Sequence, residues 1–208
     1  MHGHSRLPRD QATLYTLVKL MRKLILLDRD GTVNEEVHYL ARPDQLNLIP
    51  GAAAGIRQLN QAGFAVAIVT NQSGIARGYL SVATLEIIHL RLRELLAAEG
   101  AVIEGIVFCP HLPSDKCSCR KPQPQLAHDA AREIGITIEG AIVIGDKECD
   151  ILLGKAIKAT TVLVRTGHGT HYEPSPEAQP DWIFPDLKSA SDWIISSSGV
   201  GPTIDIMP

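Results

Sequence analysis

The chain has 208 residues, of which 45% are hydrophobic, and a formal net charge of −3. This length is enough for one well-buried core and short for two domains. The negative charge argues against non-specific binding of nucleic acid, because no broad cationic surface is available to displace counterions from a phosphate backbone. Charged residues interrupt every long apolar run, which argues against a membrane span. We expect a soluble, cytoplasmic monomer with neither a nucleic-acid nor a membrane partner.

Apolar runs alternate with amphipathic ones along the chain, which predicts a doubly wound α/β fold with a mainly parallel sheet. The predicted strands cover residues 24–27, 65–69, 104–108, 141–144 and 161–164. The predicted helices cover residues 51–62, 81–98, 124–134 and 148–157. A weaker strand and helix are expected at 182–184 and 187–195. We expect one domain over residues 21–195, an N-terminal extension over 1–20 and a flexible tail over 196–208.

Two carboxylates, Asp28 and Asp30, directly follow the first predicted strand. Like charges at the carboxyl edge of a sheet repel each other unless a divalent cation or a shared proton relieves the repulsion. An Asp-x-Asp pair alone is equally typical of an ordinary turn. Asp146 ends another predicted strand at the same edge, and it would complete a Mg²⁺ site with Asp28 and a main-chain carbonyl.

Groups suited to phosphate lie in two further segments. The turn Thr70–Gly74 offers a hydroxyl and several backbone N–H groups after the second strand. Arg77 has the guanidinium that favours bidentate phosphate contacts, and Lys121 is a compact cation near the sheet edge. Each feature alone also fits an ordinary turn or a solvated surface charge. Their combination with the three aspartates predicts a phosphate site.

Four residues form a compact array of metal-ligand types, namely Cys109, His111, Cys117 and Cys119. Three thiolates and one imidazole are the ligand set of a closed structural zinc site, with free thiols or a disulfide as the alternatives. The segment between the two pairs has too little apolar surface to fold alone, so a metal would serve as its core. Arg120 and Lys121 follow the last ligand directly, so a zinc ion would fix their orientation.

The other histidines and the fourth cysteine carry a weaker signal. His89 and His128 fall on predicted helices, where we interpret them as partly exposed structural residues. His168 and His171 lie in a Gly-rich loop, and the sequence indicates no partner for either. Cys149 lies outside the metal-ligand array and is interpreted as a small helix residue.

The ordered motifs resemble those of the haloacid dehalogenase (HAD) superfamily of phosphatases over about residues 23–165. They are Asp28-x-Asp30-Gly31-Thr32, Thr70-Asn71, Lys121-Pro122 and Gly145-Asp146-x-x-x-Asp150. The resemblance implies that Asp28 attacks phosphorus and forms an aspartyl-phosphate. It also implies that Asp30 protonates the leaving oxygen and later deprotonates water.

The same resemblance assigns roles to the remaining site residues. The groups that would hold the phosphoryl oxygens are Thr70 and Lys121. The magnesium ligands would be Asp28, the main-chain carbonyl of Asp30, and Asp146. Asp150 would support these ligands, and Lys147 would lie beside the metal or the phosphate. No insertion is long enough for a large cap domain, so loops would determine specificity.

Within this superfamily the chain resembles the heptose 1,7-bisphosphate 7-phosphatases, which act in the synthesis of nucleotide-activated heptose for lipopolysaccharide. The resemblance rests on Asp28–Asn34, Thr70–Tyr79 and Cys119–Pro122. It implies sugar contacts from Glu36, Val37, His38 and Tyr39. The other expected substrate-binding residues are Asn71, Gln72, Ser73, Arg77, Arg120 and Lys147.

Three alternatives remain open from the sequence. Histidinol-phosphate phosphatases share the Cys and His array, although the run after Gln72 fits the heptose family better. Polynucleotide 3'-phosphatases share part of the second motif, but the zinc loop and the acidic balance disfavour them. A zinc-stabilised binding scaffold without catalysis would not need the charges at Asp28, Asp30, Lys121 and Asp146.

Overall fold

The computed structural model describes residues 22–198, which form a six-stranded sheet with helices on both faces. The strands are β1 (Leu24–Leu27), β2 (Ala65–Asn71), β3 (Gly105–Cys109), β4 (Ile142–Gly145), β5 (Thr160–Val164) and β6 (Trp182–Phe184). The helices are α1 (Ala52–Gln61), α2 (Val82–Ala98), α3 (Gln125–Ile134), α4 (Glu148–Ala156) and α5 (Leu187–Ser197). Every neighbouring pair of strands is parallel, and their order is β3-β2-β1-β4-β5-β6.

All of the predicted strands and helices are present, and the predicted fold class is confirmed. Most boundaries differ from the expected ones by a single residue, whereas β2 continues to Asn71. Helix α5 ends at Ser197, two residues into the segment that we expected to be a flexible tail. The predicted extension over residues 1–20 and the rest of that tail lie outside the described residues.

The sheet divides the core into two layers because successive strand residues face opposite sides. Ile25 and Leu27 belong to a cluster that includes side chains of α1, α2 and α5. Leu24 and Leu26 pack in a second cluster with side chains of α3 and Leu153 of α4. All four β1 side chains are fully buried, and burying a side chain of this size contributes ~1.5–3 kcal/mol.

The strand order places a crevice at the carboxyl ends of β1 and β4. The chain winds outward from β1 to β3 and then crosses to β4 on the other side of β1, which is the point where open α/β sheets bind ligands. The register pairs Leu27 with Ile144, and the backbone N–H of Asp28 donates to the Ile144 carbonyl over 2.9 Å. The residues after β1 and β4 therefore start side by side.

The connection from β1 to α1 contains only turns, isolated bridges and one three-residue 3₁₀ segment, so residues 22–198 include no cap domain over this crevice. Over residues 22–198, no helix combines the length and the apolar character needed to cross a membrane.

Candidate active site

A cavity of about 350 Å³ opens at the carboxyl ends of β1, β2 and β4. Most of the site residues predicted from sequence line it, namely Asp28, Asp30, Glu36, Val37, His38, Tyr39, Thr70, Asn71, Gln72, Ser73, Arg120, Lys121 and Lys147. Arg77 is the predicted substrate-binding residue that does not line it. Its exposed guanidinium lies 5.7 Å from the centre of the Tyr39 ring. The fold thus gathers residues that are more than 110 positions apart in sequence.

Asp28 is held between ammonium groups. Lys121 Nζ lies 2.8 Å from Asp28 Oδ1 and 2.6 Å from Asp150 Oδ1, and it donates to the Val69 carbonyl over 2.8 Å. Burial raises the pKa of Asp28, but the charges of Lys121 and Lys147 outweigh it, so the pKa lies below its usual value. Burial lowers the pKa of Lys121, but the two carboxylates raise it above its usual value. The two groups therefore form an ion pair at neutral pH.

Asp30 is held by a different kind of donor. Arg29 donates from Nε and Nη2 to its carboxylate over 2.8–3.1 Å. The Asn34 amide donates to Oδ1 over 2.9 Å, and the Gln72 amide donates to Oδ2 over 2.8 Å. The Gln72 amide also donates to the Thr70 hydroxyl, so one side chain links Asp30 to the expected phosphate cradle. All of these partners are donors, so together they hold the carboxylate in one orientation.

Carboxylates of Asp28, Asp146 and Asp150 offer oxygens within 4.8 Å of one another. Lys147 Nζ lies 3.2 Å from the Asp30 carbonyl oxygen, 3.6 Å from Asp146 Oδ1 and 3.7 Å from Asp28 Oδ2. One oxygen from each of the three expected magnesium ligands therefore surrounds a single cationic group. Because Asp150 is already paired with Lys121, its expected supporting position agrees with this geometry.

The surroundings of Asp146 fit a bound cation. Its Oδ1 atom is buried without a hydrogen-bond partner. Burial and the neighbouring Asp28 charge raise the pKa of Asp146 to about 8. Hard oxygen donors that are crowded and incompletely paired fit Mg²⁺, which takes few protein oxygens and keeps some waters.

The loop after β5 orients Asp146, and the sequence did not predict this role. The backbone N–H of His168 donates to Asp146 Oδ2 over 2.8 Å, and the Thr166 hydroxyl donates to the Gly31 carbonyl over 2.6 Å. Gly31 has φ of +88°, and a side chain there would overlap the Asp146 carboxylate. A Gly-rich segment directly after a strand at the same sheet edge was the available signal.

His168 and His171 separate in the structure. His168 lines the cavity, and its Nε2 lies 3.5 Å from a Glu36 carboxylate oxygen, so Glu36 is the partner that the sequence did not indicate. His171 does not line the cavity; it lines a neighbouring surface depression that His168 also borders. Cys149, interpreted from sequence as an ordinary helix residue, is half-buried and also lines the cavity.

Asn71 is an expected substrate-binding residue to which the structure gives another use. Its Oδ1 accepts the backbone N–H of Lys121 over 3.0 Å, and its Nδ2 donates to the Lys121 carbonyl over 3.2 Å. Both polar ends of the amide are therefore occupied by one backbone segment. Asn71 ties the end of β2 to the residue that supplies the buried ammonium group.

The four residues of the predicted zinc array come together at the end of β3. Their ligand atoms lie within 4.8 Å of one another, with Cys119 Sγ 3.0 Å from Cys109 Sγ and 3.2 Å from His111 Nδ1. All the cysteines are free. Burial raises the pKa of Cys109 to about 12. Burial also raises the pKa of Cys117, but the backbone N–H of Arg120 and the thiols of Cys119 and Cys109 outweigh it and lower that pKa to about 7. The donor set fits a tetrahedral zinc ion.

Comparison with known proteins agrees with this geometry. A family model described as HAD-hydrolase-like matches residues 118–190. The D-glycero-β-D-manno-heptose-1,7-bisphosphate 7-phosphatase of Pseudomonas aeruginosa is 40% identical over 85% of this chain and 99% of its own length. The corresponding Pseudomonas putida enzyme is 41% identical over 83% and 99%.

A solved structure extends the likeness to the fold. The D,D-heptose 1,7-bisphosphate phosphatase of B. bronchiseptica, crystallised with magnesium and phosphate, superposes with a TM-score of 0.77. It is 36% identical, and the match covers 84% of this chain and 99% of that one. The chain therefore belongs to the heptose 1,7-bisphosphate 7-phosphatase family of HAD-like hydrolases.

Proposed function

We propose that the protein removes the 7-phosphate of D-glycero-D-manno-heptose 1,7-bisphosphate, a step towards nucleotide-activated heptose for lipopolysaccharide. The observation that carries the proposal is the pairing of Asp28 with the buried Lys121 at a distance of 2.8 Å, beside the fully coordinated carboxylate of Asp30. This arrangement supplies a nucleophile, a cation for the phosphoryl oxygens and a proton carrier at one edge of the sheet.

Two displacements at phosphorus account for the reaction. An oxygen of Asp28 attacks phosphorus, the bond to the sugar oxygen breaks, and Asp30 in its acid form delivers a proton to that oxygen. Water then attacks the aspartyl-phosphate, Asp30 takes a proton from the water, and the bond between Asp28 and phosphorus breaks. Inorganic phosphate leaves, and both carboxylates return to their starting states.

The phosphoryl oxygens require positive charge close to the nucleophile. The Lys121 ammonium is rigidly placed, because it is 1% exposed and is bonded on three sides. The Thr70 hydroxyl lines the same cavity at the end of β2. Asp28, Asp146 and the carbonyl of Asp30 would hold Mg²⁺, and a bound ion would supply further positive charge opposite the phosphoryl oxygens.

The open part of the cavity suits a sugar with a second phosphate. A volume of about 350 Å³ is in the range of small-molecule sites. Arg120 is half-buried in the wall, and we assign it to the phosphate that is not cleaved. We assign Arg77 to holding Tyr39 from outside, since its guanidinium lies over that ring. Glu36 has a carboxylate at the same wall that can accept sugar hydroxyls.

The substrate assignment is tested by comparing kcat/KM for heptose 1,7-bisphosphate with kcat/KM for histidinol phosphate in the presence of Mg²⁺. We expect the sugar bisphosphate to be preferred by at least about tenfold. Phosphorus NMR of the product should retain the signal of the anomeric phosphate and lose that of the primary one. A preference for histidinol phosphate, or loss of the anomeric phosphate, would contradict the proposal.

We also propose that Cys109, His111, Cys117 and Cys119 bind one structural Zn²⁺. The loop between these ligands is largely exposed, so packing alone gives it little stability. Metal analysis of the purified protein should find about one equivalent of zinc. If the protein contained no zinc and the loop still resisted proteolysis, this assignment would be wrong.

A further inference from the structure

Arg29 lies between the two motif aspartates, and its side chain is fully buried. Three of its N–H contacts reach the Asp30 carboxylate, over 2.8–3.1 Å. The remaining terminal nitrogen, Nη1, lies 3.1 Å from Nε2 of His89. Burying a guanidinium costs free energy unless its donors are paired, and the His89 contact gives the remaining terminal nitrogen of Arg29 an acceptor.

His89 lies on α2, and the structure corrects its interpretation as a partly exposed residue. Its residue exposure is 8%, and its ring packs edge-on against Phe108 at 6.0 Å between centroids. Since a guanidinium has donors only, His89 Nε2 must accept this bond, which leaves the ring neutral with its proton on Nδ1. Burial and the Arg29 charge lower the pKa of His89 to about 3, in agreement with a neutral ring.

We infer that His89 and Arg29 are positioning residues for proton transfer by Asp30. His89 fixes the rotation of the guanidinium, and the planar guanidinium fixes the plane of the Asp30 carboxylate. Helix α2 is anchored in the core by Leu85, Ile88 and Leu92, which are all fully buried. The orientation of the proton carrier thus depends on core packing rather than on the exposed side chains that line the cavity.

This inference rests on the proposed function, because it needs a leaving oxygen that Asp30 protonates. A sugar alkoxide is a poor leaving group and depends strongly on that proton. The phenolate released from para-nitrophenyl phosphate is stable without it. Misorientation of Asp30 should therefore slow cleavage of an alkyl phosphate much more than cleavage of an aryl phosphate. A general loss of folding or of phosphate binding would slow both equally.

The experiment compares His89→Leu with His89→Gln in the full-length protein with Mg²⁺. Leucine removes the acceptor, whereas the glutamine amide oxygen can replace Nε2. His128→Leu, at an exposed position of α3, is the matched control. The readout is kcat/KM for any alkyl phosphate that the wild type accepts and for para-nitrophenyl phosphate. The value of kcat/KM covers the steps up to formation of the aspartyl-phosphate. It therefore reports Asp30 acting as an acid and excludes its later action as a base.

We expect His89→Leu to lower kcat/KM for the alkyl phosphate by about 10–100-fold, a part of the full effect of a general acid. The value for the aryl phosphate should fall less than about threefold, and KM should change little for either. His89→Gln should recover most of the loss, and His128→Leu should behave like the wild type. If His89→Leu does not fold, Arg29→Lys should show the same selective loss, because one ammonium cannot bridge Asp30 and His89.

Equal losses on both substrates, or a glutamine variant no better than leucine, would overturn the inference and leave His89 a packing residue. Failure of the proposed function looks different. In that case the wild type would not cleave heptose 1,7-bisphosphate, while the ratio of alkyl to aryl activities would still be measurable with whichever phosphate monoester it accepts.

Discussion

Asp28 and Asp30 are two residues apart, yet they lie in contrasting surroundings. Asp28 contacts the ammonium groups of Lys121 and Lys147, at 2.8 and 3.7 Å. Asp30 is surrounded by planar donors, the guanidinium of Arg29 and the amides of Asn34 and Gln72. An ammonium is a compact point charge with little preference for direction, whereas a guanidinium or amide bonds along fixed directions.

This difference matches what each carboxylate does. The nucleophile has to approach phosphorus and later release it, so a nearby charge without strict direction stabilises it in both positions. The proton carrier has to meet first a sugar oxygen and then a water at one place, so directional bonds suit it. The same residue type thus serves two roles because the fold surrounds it with two kinds of donor.

The largest expected effect separates these roles directly. Asp28→Asn should lower kcat by at least about 10⁴-fold and form no phosphoenzyme, because the nucleophile is lost. Asp30→Asn should also lower kcat, by about 10²–10⁴-fold, since it lacks the base that activates water. With para-nitrophenyl phosphate, however, Asp30→Asn should release about one equivalent of phenolate in a burst. Rapid-mixing absorbance measures the burst, and Asp192→Asn on the surface of α5 is the control. A burst from Asp28→Asn would contradict this division of roles.

A second prediction concerns how much the two ammonium groups beside Asp28, those of Lys121 and Lys147, stabilise the folded protein. Lys121→Met should lower the free energy of unfolding by about 3 kcal/mol, because Asp28 and Asp150 lose their shared buried partner. Lys147 is 30% exposed, so Lys147→Met should cost less than about 1 kcal/mol. Urea denaturation in the absence of Mg²⁺, with the zinc array left intact, measures both. If the two variants were equally stable, the buried pairing of Lys121 would not support the fold.

The pH dependence of stability tests the contact between His89 and the Arg29 guanidinium beside Asp30. His89 has a pKa of about 3 in the folded protein and an ordinary value of 6.5, so below pH 6.5 the unfolded chain binds a proton that the folded one does not. Stability is therefore lost as the pH falls, by about 1.4 kcal/mol per unit. Between pH 7 and pH 5, the advantage of the wild type over His89→Gln should shrink by about 2 kcal/mol. A difference that stays constant between pH 7 and pH 5 would contradict the buried neutral ring of His89.

The fold was largely predictable because its signals are local. The run Leu24–Leu27 is uniformly apolar, as expected for a strand covered on both faces, and the helix periodicity of Leu85, Ile88 and Leu92 predicts a buried stripe. Polar residues that follow such strands must gather at one sheet edge in a parallel sheet. The positions of Asp28, Thr70 and Asp146 in one site follow from that rule.

What the sequence did not predict depends on contacts between distant segments. His89 looks like an ordinary helix residue until Arg29, 60 positions away, is seen to contact it. The loop after β5 reaches Asp146 through the backbone N–H of His168, and it does so because β5 pairs with β4. Arg77 was expected to bind phosphate on its chemistry, but local chain geometry places it over Tyr39.

The smallest predicted effect concerns Asn71, which holds the backbone of Lys121 through both ends of its amide. Asn71→Ala leaves the charges of Lys121, Lys147 and Asp28 in place, but it removes the hydrogen bonds that hold the backbone of Lys121. Two part-buried hydrogen bonds of this kind contribute about 1–2 kcal/mol. Because they position Lys121, we expect the transition state to lose a similar stabilisation, which lowers kcat by about tenfold. KM should change little, since both bonds of the Asn71 amide serve Lys121. Steady-state kinetics with heptose 1,7-bisphosphate distinguishes the outcomes, and Asn60→Ala, in a surface amide pair of α1, is the control. A rise in KM at constant kcat would contradict this prediction and make Asn71 a substrate-binding residue, as its motif alone suggests. In that case the directional donors of the site would include one that bonds the substrate.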